Sequence, residues 1–152
     1  LDADMNARYF HDLLMRYYRR DKAGTIFLAI MASGTVASWS IWIEYEIVWK
    51  ILSGISALLA IALPIINWPK MIKKIAVVRG NWTEIKTQYE ILWTKVNEDN
   101  YDVNSLMKVF EDIKKREVDA CRDESELPCD KQLLKRCQKE VCETHGLEWQ
   151  GG

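Results

Sequence analysis

Two long stretches of this chain contain no Asp, Glu, Lys, Arg or His: residues 25–43 and residues 51–68. An ionisable side chain at membrane depth is what a proton-coupled transporter needs, so these blank stretches argue against one. The whole chain has only two histidines, His11 and His145, each set among polar neighbours. It has no HExxH, no GxSxG and no glycine-rich phosphate loop, which leaves no constellation for catalysis, no metal site and no cofactor to expect. Proline is also scarce, at Pro64, Pro69 and Pro128, so long helices are free to form. No internal repeat or low-complexity linker is present. The net charge of -1 excludes little, because it averages a nearly charge-free zone with a densely charged one.

What is present begins with those two apolar runs. A bilayer core about 30 Å thick takes roughly 17–25 predominantly apolar helical residues, and both runs reach that length. Neither carries the polar stripe at the 3.6 period that a half-buried helix shows. A 152-residue chain has little core in which to hide two such helices. The expected fold is therefore an all-α membrane protein built on a two-helix transmembrane hairpin, 25–69, with spans at about 25–43 and 48–68. A cleaved signal peptide fits poorly, since there are two runs and the first starts well inside the chain.

Aromatic and basic residues orient the hairpin. Trp39, Trp42, Tyr45 and Trp49 cluster at one end and Tyr17, Tyr18 and Trp68 at the other, as interfacial anchors do. Arg16, Arg19, Arg20 and Lys22 precede the first run, and Lys70, Lys73, Lys74 and Arg79 follow the second. The connecting turn carries Glu44 and Glu46 with only Lys50. The positive-inside rule then puts both termini in the cytoplasm. These basic residues serve topology and lipid headgroups, which argues against a nucleic-acid partner.

Small and polar residues form stripes within the runs. Ser53, Ser56, Ala60, Pro64 and Asn67 share a face of the second, and Ala29, Ser33, Ala37 and Ser40 share one of the first. They suit close helix packing, with the lining of an oligomeric pore as the alternative.

The rest reads as helices. Residues 1–24 form an N-terminal helix with Met5, Tyr9, Leu13 or Leu14, and Tyr17 on one face, and nothing forces a break before the first span. Residues 70–98 form a long cytoplasmic helix. Its seam starts at Trp68 and Met71 and continues through Ile75, Val78, Trp82, Ile85, Tyr89, Leu92 and Val96 at alternating spacings of three and four. That seam serves assembly, within the chain or between copies. Residues 98–100 make a turn, and 99–152 hold two shorter helices and a tail. Asn104 or Asp102 caps the first, with Leu106, Phe110, Ile113 and Val118 inward; Pro128 opens the second, with Leu133, Leu134, Cys137 and Val141 inward and Gly146 closing it. Cys121, Cys129, Cys137 and Cys142 lack the close pairing of zinc knuckles and are expected as reduced packing thiols, with Cys121 and Cys129 the pair most able to bridge under oxidation.

The order of parts resembles a known family. A Tyr- and Arg-rich helix (Tyr17-Tyr18-Arg19-Arg20-Asp21-Lys22-Ala23) leads into the first span, the second span contains Leu52-Ser53-Gly54-Ile55-Ser56-Ala57, and one long and two shorter helices follow. This is similar to the SLATT family, the SMODS- and SLOG-associating two-transmembrane effector domains of bacterial conflict systems, over roughly residues 4–146. The resemblance implies a homo-oligomeric effector of the bacterial inner membrane that forms pores or disrupts the membrane in antiphage defence. It also implies an upstream nucleotide-signal synthase or sensor as partner. The chain carries no fused sensor domain, and its opening Leu1 reads as a fragment or a processed form. The alternative is a membrane-anchored scaffold that recruits a partner and conducts nothing.

Overall fold

The computed structural model describes residues 1–37, 46–97 and 102–147, and within them there are five helices and no strand. In chain order these are α1 (Asp2–Ala37), α2 (Glu46–Ile66), α3 (Trp68–Val96), α4 (Val103–Glu124) and α5 (Lys131–Thr144). The chain divides into two compact units, one of Leu1–Leu14 with Lys73–Gly152 and one of Met15–Ile72. Both α1 and α3 run through the division. The all-α architecture is as expected.

α1 continues unbroken through Gly24 for 36 residues. Asp2 and Asp4 in its first turn oppose the positive end of the helix dipole. No proline interrupts it, and each interior glycine costs only about 1 kcal/mol relative to alanine.

The break between α2 and α3 falls at Asn67 rather than at Pro69. Asn67 takes a left-handed conformation, φ 50°, which asparagine tolerates better than most residues. Its N–H donates to the Leu63 carbonyl at 3.2 Å, closing α2. Its own carbonyl accepts from Lys70 N at 3.1 Å and Met71 N at 3.3 Å, opening α3. Pro69 then sits in the first turn of α3, where a missing N–H costs nothing. Pro64 stays inside α2.

The first unit is a four-helix core. α1 supplies Ala3, Tyr9, Phe10 and Leu13, α3 supplies Ile75, Val78, Trp82 and Ile85, α4 supplies Ile113 and Ala120, and α5 supplies Leu133, Cys137 and Val141. Phe10 is fully buried and Met5 only half-buried, so the inward face of α1 is rotated from the one its spacing suggests. The α3 seam is buried from Ile75 to Ile85, half-buried at Tyr89 and Leu92, and exposed at Val96. It fades because the Tyr89 hydroxyl donates to Glu117 Oε1 at 2.9 Å and its ring meets the edge of a partly exposed Phe110. On α4, Leu106 is half-buried and Val118 exposed, so its inward face is narrower than expected.

One of the two candidate caps for α4 is the one used, and the start of α5 differs from expectation. Asp102 caps α4, accepting from Asn104 N at 3.2 Å and from the Ser105 hydroxyl at 2.7 Å. α5 starts after Pro128, because the Asp130 carboxylate takes the cap and accepts from Gln132 N and Leu133 N. Gly146, at φ 66°, lets Leu147 N reach the Cys142 carbonyl at 2.8 Å and close α5. Of the four thiols only Cys137 is a core residue; Cys142 is half-buried, and Cys121 and Cys129 are exposed, so packing does not account for those two. Burial pushes the Cys137 thiol up, which keeps it protonated and unreactive.

A buried carboxylate ties three segments of this unit together. Asp4 is 7 % exposed. Lys86 Nζ lies 2.8 Å from its Oδ1, and Arg8 at 3.1 Å and His145 Nε2 at 3.5 Å approach its Oδ2. Burial alone would push the carboxyl up, but the hydrogen bonds and charges of Lys86 and Arg8 outweigh it and hold the group below its usual 3.8. Tyr9 adds a second tie, its hydroxyl accepting from Asp130 N at 2.9 Å, and Arg136 pairs with Asp12. A carboxyl depressed in the folded state stabilises fully above its unfolded value, and that contribution is lost as pH falls through the folded value. Asp4→Asn should cost about 1–3 kcal/mol near neutrality. In thermal unfolding followed by circular dichroism, the gap to the parent should close as the pH drops below 3.8; a gap that does not narrow contradicts this role.

Candidate functional site

The surface that the second unit presents is set by the angular distribution of side chains on α2. From 51 to 66 this helix has no charge. Leu52, Ser53, Ser56, Leu59, Ala62 and Leu63 are half-buried and turn inward. Ile51, Ile55, Leu58, Ile61 and Ile65 lie on the opposite side and are exposed, with Leu58 at 70 % and Ile65 at 77 %. On α1, Met31 is buried and Phe27 and Leu28 are half-buried, while Ile26 and Ile30 point outward. The result is an apolar outer face whose large side chains are left exposed among the described residues. Isolated exposed apolar residues are ordinary on proteins, but a contiguous face of this kind marks an interaction surface.

Close approach of α1 and α2 depends on Gly24. A Cβ there would lie 3.2 Å from Leu63 Cδ1 and 3.6 Å from Trp68 Cζ3. Together with Phe27, Leu28 and Met31 it makes the inward face of α1, at spacings of three, one and three that a heptad reading of residues 24–31 reveals. The small-residue stripes mostly lie elsewhere. Ala29, Ser33, Ala60 and Asn67 are exposed, and only Ser53 and Ser56 are half-buried at the helix contact. Two of the hydroxyls bond within their own helices: Ser56 Oγ donates to the Ser53 carbonyl at 3.0 Å, and Ser33 Oγ to the Ile30 carbonyl at 2.9 Å. Ser40 lies outside the described residues, as do Trp39, Trp42 and Tyr45 and the side chain of Trp49. Of the other expected anchors, Tyr17 and Trp68 are half-buried and Tyr18 is exposed.

Among the described residues no single helix is long and apolar enough to cross a membrane. The expected first span leaves the described residues after 37. Residues 50–66 of α2 pass a length and composition test only together with α3, across the break at Asn67.

The first unit has an open groove of about 1120 Å³. Asp4 with Arg8, Lys86 and His145 line one part of it, and Tyr89, Trp93, Phe110, Lys114 and Glu117 another. Its charges are matched in pairs. Lys114 Nζ lies 2.7 Å from Glu117 and within 6 Å of the Tyr89 and Phe110 ring centres, and the bond to Glu117 pushes the ammonium pKa up. These contacts order the side chains of the groove.

The Gly24 contact is testable by graded substitution. Gly24→Ala should be nearly neutral, since the gain in helix propensity of about 1 kcal/mol offsets a contact with the mobile end of Leu63. Gly24→Ile should destabilise by about 1–3 kcal/mol through overpacking. Thermal unfolding of the two purified variants checks the order, and equal stability contradicts the contact. Comparison with protein-family models, with curated proteins and with solved structures finds no match to this chain.

Proposed function

We propose that the second unit is a membrane-embedded hairpin and that the protein is a homo-oligomeric two-transmembrane effector. In this reading both termini lie in the cytoplasm of a bacterium, and a separate signalling protein, a nucleotide-signal synthase or sensor, triggers the effector in defence. The observation that carries it is the exposed, charge-free outer face of α2, from Ile51 to Ile65. Lipid tails would satisfy that face at no polar cost, and a second copy of the hairpin would cover part of it. The order of segments shared with SLATT proteins supplies the effector role and the defence setting.

A second reading has one observation in its favour. The Ser33 and Ser56 hydroxyls are bonded to their own helices, and no ionisable side chain lies between 25 and 37 or between 51 and 66. A lining of that kind offers ions little to replace their water. The protein would then be a membrane-anchored scaffold whose helical core recruits a partner.

Two measurements divide these readings. Expressed protein should stay in the membrane pellet after alkaline carbonate extraction; release to the supernatant removes both. Induction together with the trigger should collapse membrane potential for an effector pore, and Ser56→Leu with Ala60→Leu should abolish the collapse while leaving the protein in the pellet. Intact potential in the parent leaves the scaffold.

A further inference from the structure

The second unit also carries a basic collar at one end of the helix pair. Arg19, Arg20 and Lys22 occupy one turn of α1, and Lys70 lies in the first turn of α3. All four are exposed, and among the described residues none makes an ion pair. With the half-buried Arg16 they set five cations against one acid, Asp21, in the segments 15–24 and 67–72. These segments are neighbours, because Gly24 on α1 abuts Leu63 and Trp68 at the α2–α3 junction.

Like charges at this density repel, and among the described residues no ion pair offsets Arg19, Arg20, Lys22 or Lys70. The first turn of α3 has no acidic residue and instead places Lys70 at the positive end of its helix dipole, an arrangement unfavourable unless an anion is near. The cations are flanked on the same helices by the exposed ring of Tyr18 and the half-buried indole of Trp68. Beyond Asn67 the exposed side chains of α2 from Ile66 back to Ile51 are apolar. On the α3 side Lys70, then the amphipathic Trp68, then the hydrocarbon-compatible side chains of α2 follow the order in which a phospholipid presents phosphate, glycerol and acyl chain; on α1 the cations Arg19, Arg20 and Lys22 directly precede the apolar run, with Tyr18 on their other side.

We infer that this collar binds the headgroups of anionic phospholipids in preference to zwitterionic ones, with Arg19, Arg20, Lys22 and Lys70 as the selecting residues. The inference rests on the hairpin lying in a membrane, and it adds a lipid class to that reading. Orientation by positive charge alone requires no such preference, since a topology signal has done its work once the chain is inserted. Bound anionic lipid lowers the repulsion within the collar, so the hairpin is more stable in membranes rich in it.

Native mass spectrometry of the detergent-solubilised full chain, titrated with phosphatidylglycerol or phosphatidylcholine, reads this out. Phosphatidylglycerol should bind at least about fivefold more tightly, the factor that corresponds to roughly 1 kcal/mol for one basic residue near an anionic surface. The preference should weaken as salt is raised. The variant Arg19→Gln, Arg20→Gln, Lys22→Gln, Lys70→Gln should bind the two lipids equally while keeping its helical circular dichroism. Equal binding by the parent, or a preference that survives in the variant, overturns the inference. So does full displacement of phosphatidylglycerol by inorganic phosphate, which would assign the collar to free phosphate. If the variant is poorly folded, Lys70→Gln alone should reduce the preference part-way, and no reduction counts against the collar. A parent that remains in the carbonate-washed pellet but shows no lipid preference fails this inference alone; a parent released from the pellet fails the hairpin reading beneath it.

Discussion

Apolar side chains on the outer side of α2 must leave water, and much else in the second unit follows from that. Burying one isoleucine or leucine side chain contributes about 1.5–3 kcal/mol. For Ile51, Ile55, Leu58, Ile61 and Ile65 together the term is on the order of 10 kcal/mol, as large as the net stability of an ordinary domain. Packing among the described residues of the unit does not supply it, because these five side chains stay exposed while the half-buried Leu52, Leu59 and Leu63 lie on the other side of α2, with Leu63 against Gly24 of α1. In the proposed reading an external apolar medium or a second copy would supply it.

The first unit is held by different means. Its core is conventional, with Phe10, Ile75, Ile85, Ile113, Leu133 and Cys137 fully buried. Polar ties fix which helix meets which: Asp4 to Lys86 joins α1 to α3, Tyr9 to Asp130 joins α1 to the cap of α5, and Tyr89 to Glu117 joins α3 to α4. A buried carboxylate with ionic partners adds specificity more dependably than net stability, since its desolvation offsets much of the attraction. α1 and α3 each belong to both units, so the hairpin and the helical core are covalently continuous through two helices.

Helix content and the buried part of the α3 seam were legible in the sequence, because the alternation of threes and fours from Ile75 to Ile85 is a local property of one helix. The extent of the seam was not, since its loss of burial past Tyr89 depends on Phe110 and Glu117 of another helix. The helix break was not legible for a similar reason: Pro69 is visible in the sequence, but a left-handed Asn67 serving both helices is a property of the junction. Small residues suggested a helix contact at Ala29, Ser33 and Ala60, whereas the close approach uses Gly24. Small side chains permit contact on any face, and only the facing helix selects one. The Asp4 cluster was invisible, because Lys86 and His145 are far from it in the chain.

The most direct test of the central claim measures what surrounds α2. A nitroxide label at Leu58 in a cysteine-free variant, reconstituted into vesicles, should be readily relaxed by oxygen and shielded from a water-soluble nickel reagent. A label at Leu58 that the nickel reagent reaches freely would contradict a hairpin buried in lipid.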